Sequence, residues 1–308
     1  MKCLVTGGAG FIGSNLVDRL IDEGNEVIIV DDLSSGKKEN INQEARFNQV
    51  DIGLPTSVPY LTNMMKGVDV VYHLAAKARV QPSIENPIEY HTTNVNGTLN
   101  LLVAARDAGV KRFVFSSSSS VYGNVSDKDL PTSEDTELNP ISPYALHKLI
   151  GEQYCKLFSE LYGMETICLR YFNVYGERQN TEGAYCLVMG IFAGQMLEGK
   201  PMTINGDGEQ RRDFTYVGDV IEANIKCGTM RNNHPQMFDG EPFNIGNGDN
   251  RSVNDVANLL GGDKIHREPV IEPKETLADN SKAREYLSWR PTQDFEQWVE
   301  KWKNDLGI

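Results

Sequence analysis

The chain has little of what builds metal centres or covalent staples. Its 308 residues include five cysteines and five histidines, and neither set shows CxxC or metal-ligand spacing. Cys3, Cys155, Cys168, Cys186 and Cys227 are scattered singly, which suggests reduced, buried thiols in a cytoplasmic protein. No metal site is expected. Positive charge is also short: 30 Lys and Arg stand against 43 Asp and Glu, a net charge of −13. Neither a nucleic-acid groove nor an anionic membrane surface suits such a chain as a partner. No apolar run approaches transmembrane length. Met1-Lys2-Cys3-Leu4-Val5-Thr6 goes straight into a strand-like run, without a secretory leader. There is no internal repeat, and the length allows one large or two closely joined domains.

What is present is alternation. Lys2–Thr6 reads as a strand, followed by Gly7-Gly8-Ala9-Gly10-Phe11-Ile12-Gly13 and an amphipathic run to Glu23. Gly8, Gly10 and Gly13 fit GxGxxG, while Gly7, Gly10 and Gly13 fit GxxGxxG. Between a strand and a helix, such glycines tighten the turn and let a pyrophosphate approach backbone N–H groups. Glu26–Asp31 is the next strand, and Asp31 closes it 18 residues after Gly13, with Asp32 behind it. A carboxylate there accepts hydrogen bonds from an adenosine ribose and repels a 2′-phosphate, which favours NAD over NADP.

The third strand is expected over residues 47–50, with Asp51 and Ile52 at its end beside the adenine. The fourth spans 68–74 and ends in His73-Leu74-Ala75-Ala76, small residues that permit close approach of the cofactor. A helix over 88–108 follows, with apolar residues at Ile88, Val95, Leu99 and Leu102. Strand five covers 112–117, a helix spans Pro143–Tyr162, and Glu165–Tyr171 is strand six. The order implies an α/β fold with a doubly wound parallel Rossmann sheet. After Tyr171 the pattern loosens, with helices near 184–198 and 218–230 and glycine- and proline-rich connectors around 232–242 and 267–273. This predicts a smaller, irregular C-terminal α/β lobe. Residues 1–172 would form the NAD-binding Rossmann domain, with 213–246 returning to it in part. Residues 173–212 and 247–308 would form the substrate lobe, with the substrate in the cleft between them.

The chemistry concentrates where Phe113-Val114-Phe115 runs into the serines Ser116 to Ser120. An apolar strand that ends in hydroxyls opens into the crevice where α/β sheets bind ligands. Ser142 followed by Pro143 reads as a helix N-cap with proline at the first position, which puts Tyr144 in the first turn. Lys148 lies four residues on, on the same face. Tyr and Lys at this spacing are most often solvated neighbours. Beside a strand end, however, a cation lowers a phenol's pKa, and such a phenol can exchange a proton with a sugar hydroxyl, a nearby serine relaying it.

Taken together, the motifs resemble the extended short-chain dehydrogenase/reductase superfamily, and within it the UDP-hexose 4-epimerases. They are Thr6 to Ser14, Asp31 to Gly36, His73 to Ala76, Asn94 to Gly97, Ser116 to Ser118, Val121-Tyr122-Gly123, Ser142-Pro143-Tyr144, Lys148, Leu169 to Asn173, Arg212-Asp213-Phe214, Phe243 to Gly246 and Leu277-Ala278-Asp279. The resemblance implies that Tyr144 is the catalytic base, that Lys148 holds the nicotinamide ribose and lowers the phenol's pKa, and that Ser118 relays the proton. The run of serines leaves that register open by one. Gly7, Gly10, Phe11, Ile12, Gly13, Asp31, Asp32, Asp51, Ile52, Leu74, Ala75, Ala76, Asn94 and Tyr171 would line NAD. Asn173 and Arg212 would hold the sugar-nucleotide diphosphate, arginine through bidentate, charge-assisted hydrogen bonds.

The implied reaction is transient oxidation at C4, rotation of the 4-keto sugar, and return of the hydrogen to the other face, with NAD tightly bound and regenerated each turnover. Related dehydratases and decarboxylases carry an acid just before Val-Tyr-Gly. Here Ser119 and Ser120 stand there, which favours plain epimerisation. A second diphosphate arginine usual in such epimerases is replaced by Pro269 or Val270, with Arg267 the nearest guanidinium. Arg79, where relatives often carry a small polar residue, keeps a UDP-glucuronate 4-epimerase open as the alternative. Thr276 matches the position that limits the C2 substituent, and its small size implies that UDP-N-acetylglucosamine is accepted as well as UDP-glucose. The resemblance also implies a homodimer, with helices 88–108 and 144–162 pairing as a four-helix bundle. A catalytically silent NAD-binding regulator is the reading from another class. Loss of Tyr144 or Lys148 would mark one, and both are present.

Overall fold

The computed structural model describes residues 1–180, 187–230, 235–270 and 272–308, with the backbone alone for Pro235 and Gln236. Strands β1 (Lys2–Thr6), β2 (Glu26–Asp31), β3 (Arg46–Gln49), β4 (Val70–His73), β5 (Arg112–Ser118) and β6 (Glu165–Tyr171) appear in turn. Four short strands follow: β7 (Val174–Tyr175), β8 (Met202–Asn205), β9 (Arg211–Asp213) and β10 (Thr215–Tyr216). Then β11 (Asp239–Ile245) returns beside β6 and completes a seven-stranded sheet of order β11-β6-β5-β4-β1-β2-β3. Every pair in it is parallel. The doubly wound sheet expected from the alternation is present.

Alternate side chains of each strand serve two cores. Cys3, Val5, Ile29, Tyr72, Val114 and Leu169 point to a core shared with helices α1 (Phe11–Asp22) and, far along the chain, Val217–Thr229. Leu4, Ile28, Val71, Phe113 and Phe115 point to the opposite face. That face is covered by α2 (Val58–Met64) and, past α3 (Val80–Glu85) and α4 (Pro87–His91), by α5 (Gly97–Ala108) and α6 (Pro143–Tyr162). Burial on both faces explains why these strands are apolar throughout. Each fully buried Val, Leu, Ile or Phe stabilises the fold by roughly 1.5–3 kcal/mol.

Two expected elements differ in detail. The helix over 88–108 is interrupted by a single π turn, Thr92–Asn96, which sets the Asn94 amide against the backbone of Lys77. Such bulges gather at functional sites. Strand four begins at Val70 rather than 68, because the Val68 N–H closes the preceding turn on Met65 O at 3.0 Å.

Beyond the sheet come α7 (Val188–Leu197), α8 (the Val217–Thr229 helix already met), β12 (Asn250–Ser252), α9 (Val253–Leu260), β13 (Lys264–Arg267), α10 (Ser281–Tyr286) and α11 (Phe295–Leu306). The helix expected near 184–198 is thus seen from Val188; residues 184–186, Cys186 among them, lie outside the described residues. The short strands pair only two by two, β10 with β7, β12 with β9 and β13 with β8. A separate core of Tyr175, Phe192, Met202, Phe214, Leu260 and Trp298 joins α7, α9 and α11. Cys3, Cys155, Cys168 and Cys227 are buried free thiols. Among the described residues, no helix is long and apolar enough to cross a membrane.

Candidate active site

The C-terminal ends of β1, β2, β4 and β5 bring most of the expected residues together. The loop after β1 is shaped so that side chains are excluded from it. Gly7 has φ +71°, and a Cβ there would stand 2.8 Å from the Ala75 N atom. A Cβ on Gly13 would lie 2.1 Å from the Gly7 carbonyl oxygen, so only glycine lets α1 begin this close to the strand. Gly10 is the N-cap of α1 and the cap carries no side-chain hydrogen bond. The first-turn N–H groups of Phe11, Ile12 and Gly13 therefore face out from the helix end, where an anion is favoured.

Asp31, buried at the end of β2, accepts hydrogen bonds from Ala9 N at 3.0 Å and Leu33 N at 2.8 Å. Burial raises its pKa, and those two N–H groups pull it back. Asp32 caps the next turn through Ser34 N at 2.8 Å. Asp51 is exposed and accepts from Gly53 N at 2.8 Å, while the carbonyl of buried Ile52 accepts from the Asn100 amide at 2.8 Å. A cradle closed to any Cβ, an uncapped helix N-terminus and a strand-end carboxylate fit a dinucleotide: the pyrophosphate against Gly10–Gly13, the adenosine ribose at Asp31.

Beside the cradle, one histidine orders the loop after β4. His73 Nδ1 lies 2.8 Å from Thr6 Oγ1, and Nε2 lies 2.9 Å from Thr98 Oγ1. Thr98 donates to Asn94 O at 2.6 Å, and Thr6 Oγ1 accepts from Ala75 N at 3.1 Å. These partners assign the proton to Nε2. Burial lowers the His73 pKa to about 3, with the charge of Lys148 as a lesser cause, so the ring is neutral. Asn94 then clamps Lys77 from both sides, accepting from its N–H at 2.8 Å and donating to its carbonyl at 2.9 Å. Leu74, Ala75 and Ala76 are held half-buried along this edge. The sequence marked His73 only through its motif; the hydrogen-bond chain through it emerges from the structure.

Ser142 caps α6 as expected, its hydroxyl accepting from Ala145 N at 3.2 Å. The Ser118 side chain lies near enough to the Tyr144 phenol to lower its pKa. The other serines have different partners: Ser116 Oγ meets Tyr171 OH at 3.0 Å, Ser117 donates to Glu152, and Ser120 donates to Ser118 at 2.9 Å. Of the five serines, Ser118 is the one that acts on the phenol.

The expected tuning of the phenol is not what is found. Burial raises the Tyr144 pKa, and the Ser118 side chain only moderates it. The Lys148 ammonium is committed to Ser116 O at 2.6 Å and stands 5.9 Å from the centre of the Tyr144 ring. Desolvation instead acts on the lysine, lowering it to about 8 against the pull of Glu152. Tyr171 OH is shared between Ser116 and the Asn224 side chain on α8, inside the sheet's α1/α8 core.

A second cluster lies around Asn173, Asp213 and Thr276. Asn173 Nδ2 reaches Thr276 Oγ1 at 3.3 Å and Asp213 O at 3.2 Å, and Thr276 Oγ1 accepts from Asp213 N at 3.2 Å. Arg212, whose side chain is 10% exposed, pairs with Glu272 at 2.5 Å. Burial lowers its pKa, and Glu272 raises it in part. Asn173, Arg212 and Thr276 are therefore brought together. Arg267 lies exposed on β13, and Arg79 sits at φ +83° where α3 begins. The group that ties this cluster down is Asp213, which sequence reasoning placed in a motif without a role. Its carboxylate accepts from Asn247 N, Gly248 N and Ala278 N at 2.7, 2.9 and 3.0 Å. Burial raises it to about 6.

The NAD dependent epimerase/dehydratase family matches residues 3–246. The UDP-glucose 4-epimerase of Thermotoga maritima, solved with UDP-glucose, superposes with a TM-score of 0.91 at 39% identity, over 99% of this chain and 100% of that one. A UDP-N-acetylglucosamine 4-epimerase from Methanobrevibacter ruminantium, in complex with UDP-N-acetylmuramic acid, gives 0.88 at 35%, over 99% and 98%. The UDP-glucuronic acid 4-epimerase of Bacillus cereus, in complex with UDP-glucuronic acid and NAD, gives 0.89 at 34%, over 100% and 99%. A shared parallel sheet, a glycine cradle fitted to a dinucleotide and near-complete coverage agree, and the chain belongs to the NAD dependent epimerase/dehydratase family as an NAD-dependent isomerase of the extended short-chain dehydrogenase/reductase type.

Proposed function

We propose that this enzyme inverts C4 of a UDP-hexose, interconverting UDP-glucose with UDP-galactose and UDP-N-acetylglucosamine with UDP-N-acetylgalactosamine. The observation that carries it is the buried Tyr144 phenol beside Ser118 at the end of β5, with Lys148 one turn behind on the same helix face and bonded to Ser116 O. Bound NAD supplies the hydride acceptor and donor. Tyr144, as the phenolate, accepts the proton of the sugar 4-hydroxyl and as the phenol returns it, Ser118 orients that hydroxyl, and Lys148 holds the nicotinamide ribose and keeps positive charge near the phenolate. Asn94 orders the loop that edges the nicotinamide. Arg212 and Asn173 hold the diphosphate, Arg212 exchanging Glu272 for phosphate oxygens. Ser119 and Ser120 offer no carboxylate before Val121, so abstraction at C5 lacks its acid or base. Residues 1–172 with 213–246 act as the dinucleotide unit, and the remainder as the sugar-nucleotide unit.

Thr276 leaves room at the C2 substituent, which supports acceptance of both sugar series. The test is incubation with a panel of UDP-sugars, without added NAD, and NMR identification of products. Absence of turnover of the acetylated sugar by the wild type overturns that assignment, and Thr276→Tyr should remove acetylated turnover selectively. A second reading, UDP-glucuronate 4-epimerisation, is favoured by Arg79. A non-glycine residue at φ +83° is strained, and such strain is retained mostly where function requires it. Turnover of UDP-glucuronate lost in Arg79→Ser would establish it.

The partner of α6 is a second copy of this chain. Leu146, Leu157 and Leu161 are 46, 43 and 62% exposed at helical spacing on one face of α6, and Ile88 on the neighbouring α4 is 82% exposed. Two such faces would bury one another as a four-helix bundle. Light scattering that gives a monomer at assay concentration sinks this.

A further inference from the structure

Three successive turns of α6 meet three successive serines of β5. Tyr144, Lys148 and Glu152 lie four residues apart on one helix face. Tyr144 lies beside Ser118, Lys148 Nζ donates to the Ser116 carbonyl, and Glu152 Oε1 accepts from the Ser117 hydroxyl. The helix comes this close because Gly151 lies under the Phe115 ring, where a Cβ would be 2.3 Å from Cζ. Glu152 is also held by the next strand. Arg170, the register partner of Ser117, donates Nε to Glu152 Oε1 at 2.9 Å and a terminal nitrogen to Oε2 at 2.7 Å. Its other terminal nitrogen bonds Tyr122 OH at 2.8 Å, and Tyr122 donates to Asn244 Oδ1 at 2.7 Å on β11. Both partners of this ion pair are buried, with side chains 6 and 3% exposed.

A buried ion pair is weak evidence for stability, because desolvation offsets much of its attraction. A neutral, apolar filling would serve a purely structural purpose as well. The groups around Lys148 indicate another use. From α6 it faces Tyr144, Glu152 and Cys155; from β5, the Ser116 carbonyl and the Phe115 ring; from β4, the neutral ring of His73. Of these, Glu152 is the one carboxylate, and Arg170 fixes its orientation.

We propose that Glu152 is a positioning residue for the reaction: braced by Arg170, it sets the register of α6 on the serine end of β5 and supplies the counter-charge of Lys148. The proposal rests on the roles given above to Tyr144 and Lys148. The lysine is already lowered to about 8 by burial, and Glu152 opposes that fall. Without the carboxylate, the ammonium would be lost nearer neutrality.

The test uses the intact protein with lysine labelled by 13C at Cε, the Lys148 signal being identified by its loss in Lys148→Met. In Glu152→Gln the Lys148 pKa should fall by about one unit or more. The alkaline limb of kcat against pH should move down equally, with KM for the UDP-sugar unchanged. The paired variant Glu152→Gln/Arg170→Gln removes both members of the buried ion pair, and it should shift the Lys148 titration in the same direction. A Lys148 titration unchanged in a folded variant, with only melting temperature reduced, overturns the proposal. Tyr144→Phe separates the two levels: if it retains wild-type turnover, the assigned chemistry fails. If it is inactive while Glu152→Gln titrates like wild type, only the positioning role fails.

Discussion

The two polar clusters are held by different means. On the sheet side, Gly7, Asp31, His73 and Ser118 stand at the ends of β1, β2, β4 and β5, and backbone ladders fix those ends to one another. On the lobe side, Asn173, Arg212 and Thr276 come from segments joined by two-stranded pairings and by side chains. Asp213 gathers three backbone N–H groups, and Asn250 accepts from the Arg211 guanidinium at 2.7 Å while donating to Glu275 at 2.6 Å. A parallel ladder places a residue by counting along the strand. A side-chain clamp places it only once the partner segments have met.

The largest effect that sharpens this contrast is at Tyr144. Replacement by Phe removes the proton acceptor and leaves the helix face packed, so turnover should fall by about 10²–10⁴-fold, with melting temperature and bound NAD unchanged. Interconversion followed by NMR at saturating UDP-sugar decides it. A loss of less than tenfold would mean that the ordered sheet cluster is scaffold and that the proton acceptor lies elsewhere.

This asymmetry also explains what could be read in advance. Tyr144 and Lys148 follow from a cap, a proline and a helical repeat, all local, and Asp31 follows from the length of one βαβ unit. Ser118 rests on the family motif, since five like residues carry no register of their own. The rise rather than fall of the Tyr144 pKa was beyond the spacing as well. It depends on where the Lys148 ammonium points, and Ser116 O claims it. Asp213 was quoted in a motif, yet its three donors come from residues 247, 248 and 278, far off in the chain. Glu152 falls on the helical repeat of Tyr144 and Lys148, a local signal that extending the count by one more turn exposes.

In the lobe cluster the expected effect is smaller and sits in binding. Arg212→Lys keeps the charge and loses the fork that grips Glu272 or a diphosphate, so UDP affinity should weaken by about 1.5–3 kcal/mol, some ten- to a hundredfold. Calorimetric titration with UDP measures it, and kcat at saturation should hold within a few-fold. A fall in kcat with unchanged UDP affinity would erase the division of labour between the two clusters.

The smallest effect is the response of stability to acid, to which burial gives opposite signs at a base and at an acid. His73 has a folded pKa near 3 against an ordinary 6.5, so its contribution to stability is present above about pH 6.5 and is lost as pH falls through that value. At pH 5 the loss approaches about 2 kcal/mol, at roughly 1.4 kcal/mol per unit. Asp213 is raised to about 6 from 3.8. The folded state therefore holds its proton more tightly than the unfolded state, and acidification from pH 7 to 5 relieves about 1 kcal/mol of the cost of its buried charge. Denaturation of wild type, His73→Gln and Asp213→Asn at saturating NAD separates the two. From pH 7 to 5, wild type should lose stability relative to His73→Gln and gain relative to Asp213→Asn. Slopes of one sign would mean that one of the two groups is not desolvated as its burial implies.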